Sequence, residues 1–291
     1  MAATVREKGY SHWDGRLVER RFRWWPITRT GIQLAFRRKA FRLFFAGAFL
    51  PAFFALGGLY VSERLEDFQA IVKSNQALLK IDPAYFKTFL ANGFFLFLLL
   101  LVLAFAAAGL IADDLKHSSL QLYFSRPIGK MDYLAGKMAV VAFFVLVLTA
   151  LPGLVLVAFK LIFAGDFAFL ARYPWLPLSI LGYGALLAVF FAFFILLLSA
   201  SSRNARYVTI LVFTAYFLSD VLSSFLREVF KTPYMNLFSL RANLQQAGAL
   251  LFGTKPAFAA PPALSLAVLA AVCVLSAFVL GRKIRSVEVI R

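Results

Sequence analysis

The sequence predicts an all-α integral membrane protein with six transmembrane helices, cytoplasmic N- and C-termini, an interfacial N-terminal helix and re-entrant outer helices before the last span. Three observations carry this. Of 291 residues 62% are hydrophobic, including 34 Phe, whereas soluble domains average about 45–50% apolar residues. Runs long enough to cross the hydrocarbon core, for which about 20 residues suffice, occupy 41–61, 89–112, 136–163, 175–200, 207–226 and 263–281. Lys and Arg are segregated: 21 lie in segments 1–42, 113–137, 201–206 and 282–291, against 10 in segments 62–88, 160–174 and 227–262. The two sets have similar total length, so the bias is one of density. The positive-inside rule then puts the first set, and both termini, in the cytoplasm. That distribution also argues against nucleic acid as the partner for the net charge of +17.

Residues 1–40 read as a basic cytoplasmic segment, 41–281 as the membrane domain and 282–291 as a cytoplasmic tail. No cleavable signal peptide is expected. The first apolar run follows 40 polar residues, and the Arg20-Arg21 pair stands too far ahead of it for a twin-arginine signal. Trp24 and Trp25 suit the headgroup level. After them Arg29, Gln33 and Arg37 share one helical face, while Ile27, Leu34 and Phe41 gather opposite, which predicts a helix lying on the inner leaflet. In the first outer loop Leu65, Phe68, Val72 and Leu79 recur at helical spacing until Asp82-Pro83 stops them. In the second, Leu237, Leu240, Leu244, Ala247 and Leu251 alternate with Asn236, Arg241, Asn243, Gln245 and Gln246. This suits a short helix dipping into the outer leaflet, broken off by Pro256, Pro261 and Pro262. Pro152-Gly153 predicts a kink in span three.

The segment Asp113–Lys137 is far longer and more polar than a connector between two spans requires. Asp113, or else Ser118 or Ser119, is placed to cap a short helix. Leu115, Leu120, Tyr123 and Phe124 supply apolar knobs, and Pro127 ends the helix by restricting Arg126. Protruding Leu and aromatic side chains on a short helix fit a groove in another protein.

Catalytic signatures are missing. A P-loop would need glycine where Met131 stands, five residues ahead of Gly136-Lys137, and no GxSxG, HExxH or paired intramembrane carboxylates occur. Asp220 and Lys160 are intramembrane charges near outer span ends and read as interfacial. His12 and His117 lack partners at metal spacing, and Cys273 reads as a packing residue. The Phe pairs at 94–95, 143–144, 190–191 and 193–194 read as lipid-facing filler. Ala104, Ala107, Ala108, Gly109, Gly182 and Gly184 would allow a close helix or subunit approach.

In the polar segment the chain resembles the permease subunits of ABC-2 type exporters. The resemblance lies in Asp113-Asp114, His117-Ser118-Ser119, Leu120-Gln121-Leu122, Ser125-Arg126-Pro127-Ile128, Tyr133-Leu134 and Gly136-Lys137. It implies two such permeases, a second copy or a paralogue, in a bacterial cytoplasmic membrane over two ATP-binding subunits. ATP and Mg would be bound by those partners and no cofactor by this chain; a periplasmic or extracellular component is compatible. The coupling helix would carry Asp113, Asp114, Lys116, Ser119, Leu120, Tyr123, Phe124, Arg126 and Pro127. The interfacial helix would use Trp24, Trp25, Ile27, Arg29, Leu34 and Arg37. The basic lead through Tyr10, Trp13 and Gly15 departs from the family pattern. Competing readings are an ATPase-driven machine doing mechanical or signalling work, an intramembrane enzyme and a secondary transporter.

Overall fold

A helix satisfies its own backbone, so apolar runs of this length enter a membrane as helices. The computed structural model describes residues 22–63, 81–124, 128–165 and 167–285, and among these there is no strand. Helix α1 (Trp25–Arg37) precedes α2 (Lys39–Gly47) and α3 (Leu50–Glu63). Then come α4 (Pro83–Leu90), α5 (Gly93–Ala107), α6 (Gly109–Lys116) and α7 (Ser119–Phe124). Next are α8 (Lys130–Leu148), α9 (Ala150–Ala164), α10 (Ala168–Arg172), α11 (Leu176–Ser199) and α12 (Ala205–Phe230). A 3-10 turn (Pro233–Phe238), α13 (Leu240–Leu251) and α14 (Pro262–Arg285) complete the described chain. Among the described residues six stretches are long and apolar enough to span a membrane: Lys39–Ser62, Gly93–Lys116, Lys130–Ala164, Leu176–Ser199, Ala205–Phe230 and Pro262–Lys283.

Spans two, three and four form the interior, and spans one, five and six form a largely exposed wall. The Phe pairs divide accordingly. Phe190, Phe191 and Phe194 lie buried in the core with Phe95 and Phe144, so they are not lipid filler, whereas Phe94 and Phe143 are exposed. Ala104, Ala107 and Ala108 are buried in the chain's own core, which takes them out of any subunit interface, and Gly184 packs against Thr149. A Cβ added to Gly182 would meet nothing within 4 Å, so no close helix contact requires this glycine.

Several boundaries differ from the sequence expectation. Span three begins at Lys130 rather than 136, and span two continues through the acidic pair to Lys116. The break in span three falls at Thr149 (φ −111°, ψ −66°), one turn before Pro152, whose missing N–H leaves Leu148 without its helical donor. Asp82-Pro83 opens helix α4. Asp82 Oδ1 accepts from the Tyr85 N–H, and Pro83 sits where its missing donor costs nothing. The expected helix over 65–79 lies outside the described residues.

At the same end of the bundle as α4, α13 packs against spans two, four, five and six. Its polar residues do not all face outward. Asn243 and Gln246 are fully buried, and the Gln246 side chain donates to the Ala260 carbonyl at 2.9 Å and accepts from the Ala257 N–H at 2.6 Å. Asp220 pairs with Arg241 at 2.6 Å and accepts from Ser239, so this intramembrane charge clamps span five to α13. Gly248 closes the joint, because an added Cβ would meet Ala91 Cβ at 2.8 Å and the Tyr183 ring at 3.2 Å. Gly248→Ala is expected to destabilise the protein by about 1–3 kcal/mol. A fall in the thermal midpoint of detergent-solubilised protein checks this, and an unchanged midpoint would show that α13 yields freely.

Candidate functional site

The site lies where the polar segment meets α1, at the end of the bundle that also holds the loop after span four and the last residues of span six. Lys283 Nζ reaches the Ala200 carbonyl there at 3.0 Å. Span two arrives in two pieces, α5 and α6, because the helix is interrupted at Ala108. The new helix start is capped from another span. Ser199 Oγ accepts the Ile111 and Ala112 N–H groups at 3.0 and 3.1 Å and donates to the Ala108 carbonyl at 2.7 Å. Those amides are among the donors that a helix start leaves orphaned.

Asp113 and Asp114 therefore stand in the last turn of α6. Asp113 is not an N-cap, because the helix it was expected to start is already running. A carboxylate at a helix C-terminus faces the negative dipole end, so both acids require nearby cations. Arg38 stands 3.6 Å from Asp113 in a partly exposed pair, and its guanidinium also donates to the Phe105 carbonyl at 3.1 Å. Lys137 Nζ stands 2.7 Å from Asp114 Oδ2, both side chains nearly buried. Tyr133 Oη donates to the same Asp114 oxygen at 2.7 Å. The Lys137 ammonium lies 5.3 Å from the Tyr133 ring centre and 5.8 Å from that of Tyr123, at cation–π distance. Burial first, and the Asp114 carboxylate second, push the Tyr123 phenol above its ordinary pKa, so it remains a neutral donor at neutral pH.

The chain reverses at Ser118, whose φ of +54° is left-handed. An N-cap is extended, so Ser118 is the turn rather than the cap. The following short helix α7 is seated inward. Leu120 is only 2% exposed and packs with Ile27 of α1 and Tyr133 of span three; Leu115, Tyr123, Ile128 and Leu134 surround the cluster. Leu120 and Tyr123 thus anchor the helix to its own protein and do not protrude as knobs. A six-residue helix cannot hold its shape alone, so its buried Leu120, and Tyr123 tilted against the Tyr133 ring at 5.4 Å, go to holding it in place. The polar rim at its base, Lys116 and His117, is exposed, with Ser119 and Asp113 partly so. Ser125, Arg126 and Pro127 lie outside the described residues, as does the Phe124 side chain.

Helix α1 forms the second wall. Its buried stripe is Ile27, Thr28, Gly31 and Ala35, set against the start of span three. Thr28 Oγ1 donates to the Gly136 carbonyl at 3.0 Å. Two glycines let the helices touch: a Cβ on Gly136 would stand 2.8 Å from Ile27 Cβ and 3.0 Å from the Trp24 carbonyl oxygen, and one on Gly31 would stand 2.6 Å from Val140 Cγ2. Leu34, expected on the apolar face with Ile27, is 51% exposed, while Phe41 is buried. Trp25, Arg29 and Arg37 are exposed and Trp24 partly so.

Asp113 and Asp114 lie on α6 and Leu120 on α7, two helices that pack against each other. Sequence reasoning missed Thr28, Gly31 and Ser199, and it gave no role to Lys137. The spacing of Tyr133 and Lys137, one helical turn apart at the polar start of span three, was the available signal for an inward-facing partner to Asp114. Among the described residues no group of three His, Cys, Asp or Glu could hold a metal. Residues 36–220 match the family model described as "ABC-2 family transporter protein". No curated protein matches the chain.

Proposed function

The chain belongs to the ABC-2 transporter family, whose permeases are multi-pass membrane subunits that work with ATP-binding subunits. From that premise we propose that it is the permease of an exporter in a bacterial cytoplasmic membrane, with α7 as the coupling helix. Two ATP-binding subunits would bind the ATP and Mg, this chain would bind no cofactor, and a second copy or a paralogue would complete the permease pair. The lysine and arginine bias supports a cytoplasmic placement for α1, α7 and both termini.

The observation that carries this reading is the seating of α7. A short helix that only connected two spans would have no need of an apolar anchor (Leu120), a buried ion pair (Asp114–Lys137) and a second helix (α1) locked to its base. Such a clasp lets a push on the exposed rim reach spans two and three without being absorbed locally. Nucleotide-driven closure of the ATP-binding pair then biases the spans between two arrangements, by no more than its differential grip on them.

The partner contact falls on Lys116, His117 and the outward side of α7, and Leu120 supports it from within. Lys116→Glu with His117→Glu is expected to weaken co-purification with the ATP-binding subunit about tenfold, as charge reversal at an interface rim does. The permease itself should remain monodisperse. Replacing residues 115–125 by Gly and Ser should abolish co-purification, and its survival would overturn the coupling assignment. Substrate-stimulated ATPase activity in vesicles is the expected mark of an exporter. Activity indifferent to every candidate cargo, with coupling intact, would instead favour mechanical or signalling work.

A further inference from the structure

The corner between α1 and span one gathers four cations, three of which have no ion-pair partner among the described residues. The chain turns at Arg38, whose extended backbone (φ −81°, ψ 120°) separates α1 from α2 and brings Arg37, Arg38, Lys39 and Arg42 into one exposed bend. Arg38 is engaged with Asp113. Arg37, Lys39 and Arg42 meet no carboxylate within ion-pair distance among the described residues. The bend is rigid, because Phe36 on one side and Phe41 and Phe45 on the other pack their rings at 5.3–5.5 Å, and all three touch Phe144 of span three.

Below the cations runs an unbroken apolar stripe. Leu43, Leu50, Phe53 and Phe54 are 72%, 54%, 67% and 79% exposed, recur at helical spacing along span one, and start one turn from Lys39. A preformed cluster of unpaired positive charge above an exposed apolar strip matches the two halves of one ligand class, a phosphate-bearing headgroup and its acyl chains. We propose that the α1–span one corner binds an anionic phospholipid, with its headgroup on Arg37, Lys39 and Arg42 and its chains along Leu43, Leu50 and Phe54. The proposal needs only that the protein lies in a membrane and does not rest on the exporter reading. Because α1 is locked to Gly136 and touches Leu120, lipid held at this corner braces the frame that seats α7.

The test uses the full chain in vesicles, with Trp13, Trp24, Trp25 and Trp175 changed to Phe and Leu43→Trp as the single reporter. A companion protein keeps Trp175 alone, at the opposite end of the bundle. Brominated phosphatidylglycerol should quench the indole at position 43 at a mole fraction about tenfold lower than brominated phosphatidylcholine, a conservative figure given that each nearby cation favours an anionic surface about fivefold. Trp175 should show no such preference. Arg37→Gln, Lys39→Gln and Arg42→Gln together should abolish the preference at position 43, and raising salt on the unmutated corner should shrink it. Equal quenching by the two lipids at position 43, or a preference that survives the triple change, would overturn the proposal. Displacement of the lipid by inorganic phosphate beyond that by chloride at matched ionic strength would overturn it in favour of a free-phosphate site.

Discussion

Asp114→Ala is expected to lower the stability of the protein by about 3–5 kcal/mol, the usual loss when one member of a buried ion pair is removed. The cost arises on the partner left behind. Lys137 is nearly buried in span three, and without Asp114 its ammonium keeps, among the described residues, only the faces of Tyr123 and Tyr133 at more than 5 Å. Lys137→Met should cost less, because Asp114 retains the Tyr133 hydroxyl as donor and methionine fills the space the lysine stem occupied. Asp114→Asn combined with Lys137→Met should recover most of the single-mutant loss, because no buried charge is then left unpaired. Midpoints of denaturant unfolding for the two single variants and the double variant measure the coupling directly. If Asp114→Ala shifted stability by less than about 0.5 kcal/mol, a surface-pair value, the ion pair would have no structural weight and α7 would be held by Leu120 and Tyr123 without it.

Gly136→Val is expected to have the second largest effect, and its consequence is local. The first atom added already stands 2.8 Å from Ile27 Cβ and 3.0 Å from a backbone carbonyl of α1, and a carbonyl cannot rotate aside as a side-chain tip can. Overpacking of this kind costs about 1–3 kcal/mol or forces the helices apart. Separation would break the Thr28 bond to Gly136 and withdraw Ile27 from Leu120. The variant should therefore insert in the membrane while α1 and α7 become sensitive to protease, and ATPase stimulation in the assembled complex should fall together with that protection. Gly136→Ala should show a smaller loss of the same kind. Undiminished protection of α1 in the valine variant would mean that α1 is held elsewhere.

What the sequence made legible follows from the range of each interaction. Spans are written in consecutive residues, and all six appear close to their expected places because hydropathy over some 20 positions is a local sum. The expected membership in the ABC-2 transporter family rested on the polar segment between spans two and three, and the match over residues 36–220 covers it. Direction along that segment was harder to read. Leu120 looks the same on paper whether it faces a partner or Ile27, since a six-residue helix has too few turns to define a face by periodicity. Asp113 resembled a helix cap because span two was expected to end at Ala112. The hydroxyl that lets α6 continue comes from Ser199, 87 positions after Ala112 along the chain. Asn243 and Gln246 alternate with the apolar residues of α13 as an exposed face would, whereas each has backbone partners inside the bundle. Gly31 left no trace in the pattern, and Gly136 entered it only as part of the family resemblance, because a glycine needed for contact reads like any other until its neighbour is known.

The break at Ala108 has a mechanical consequence. A single hydroxyl on span four serves three backbone groups of span two, and two of them are amides inside a membrane domain where water is not available to replace it. Turning or withdrawing α6 by itself would strand those amides, at several kcal/mol for each group left unsatisfied. The lower part of span two and the end of span four are thereby geared together, while the upper part of span two belongs to a separate rigid section above the break. On the proposed coupling role of α7, a stroke delivered there would not travel up span two as along a continuous rod: it would be handed sideways, at Ser199, to the neighbouring span.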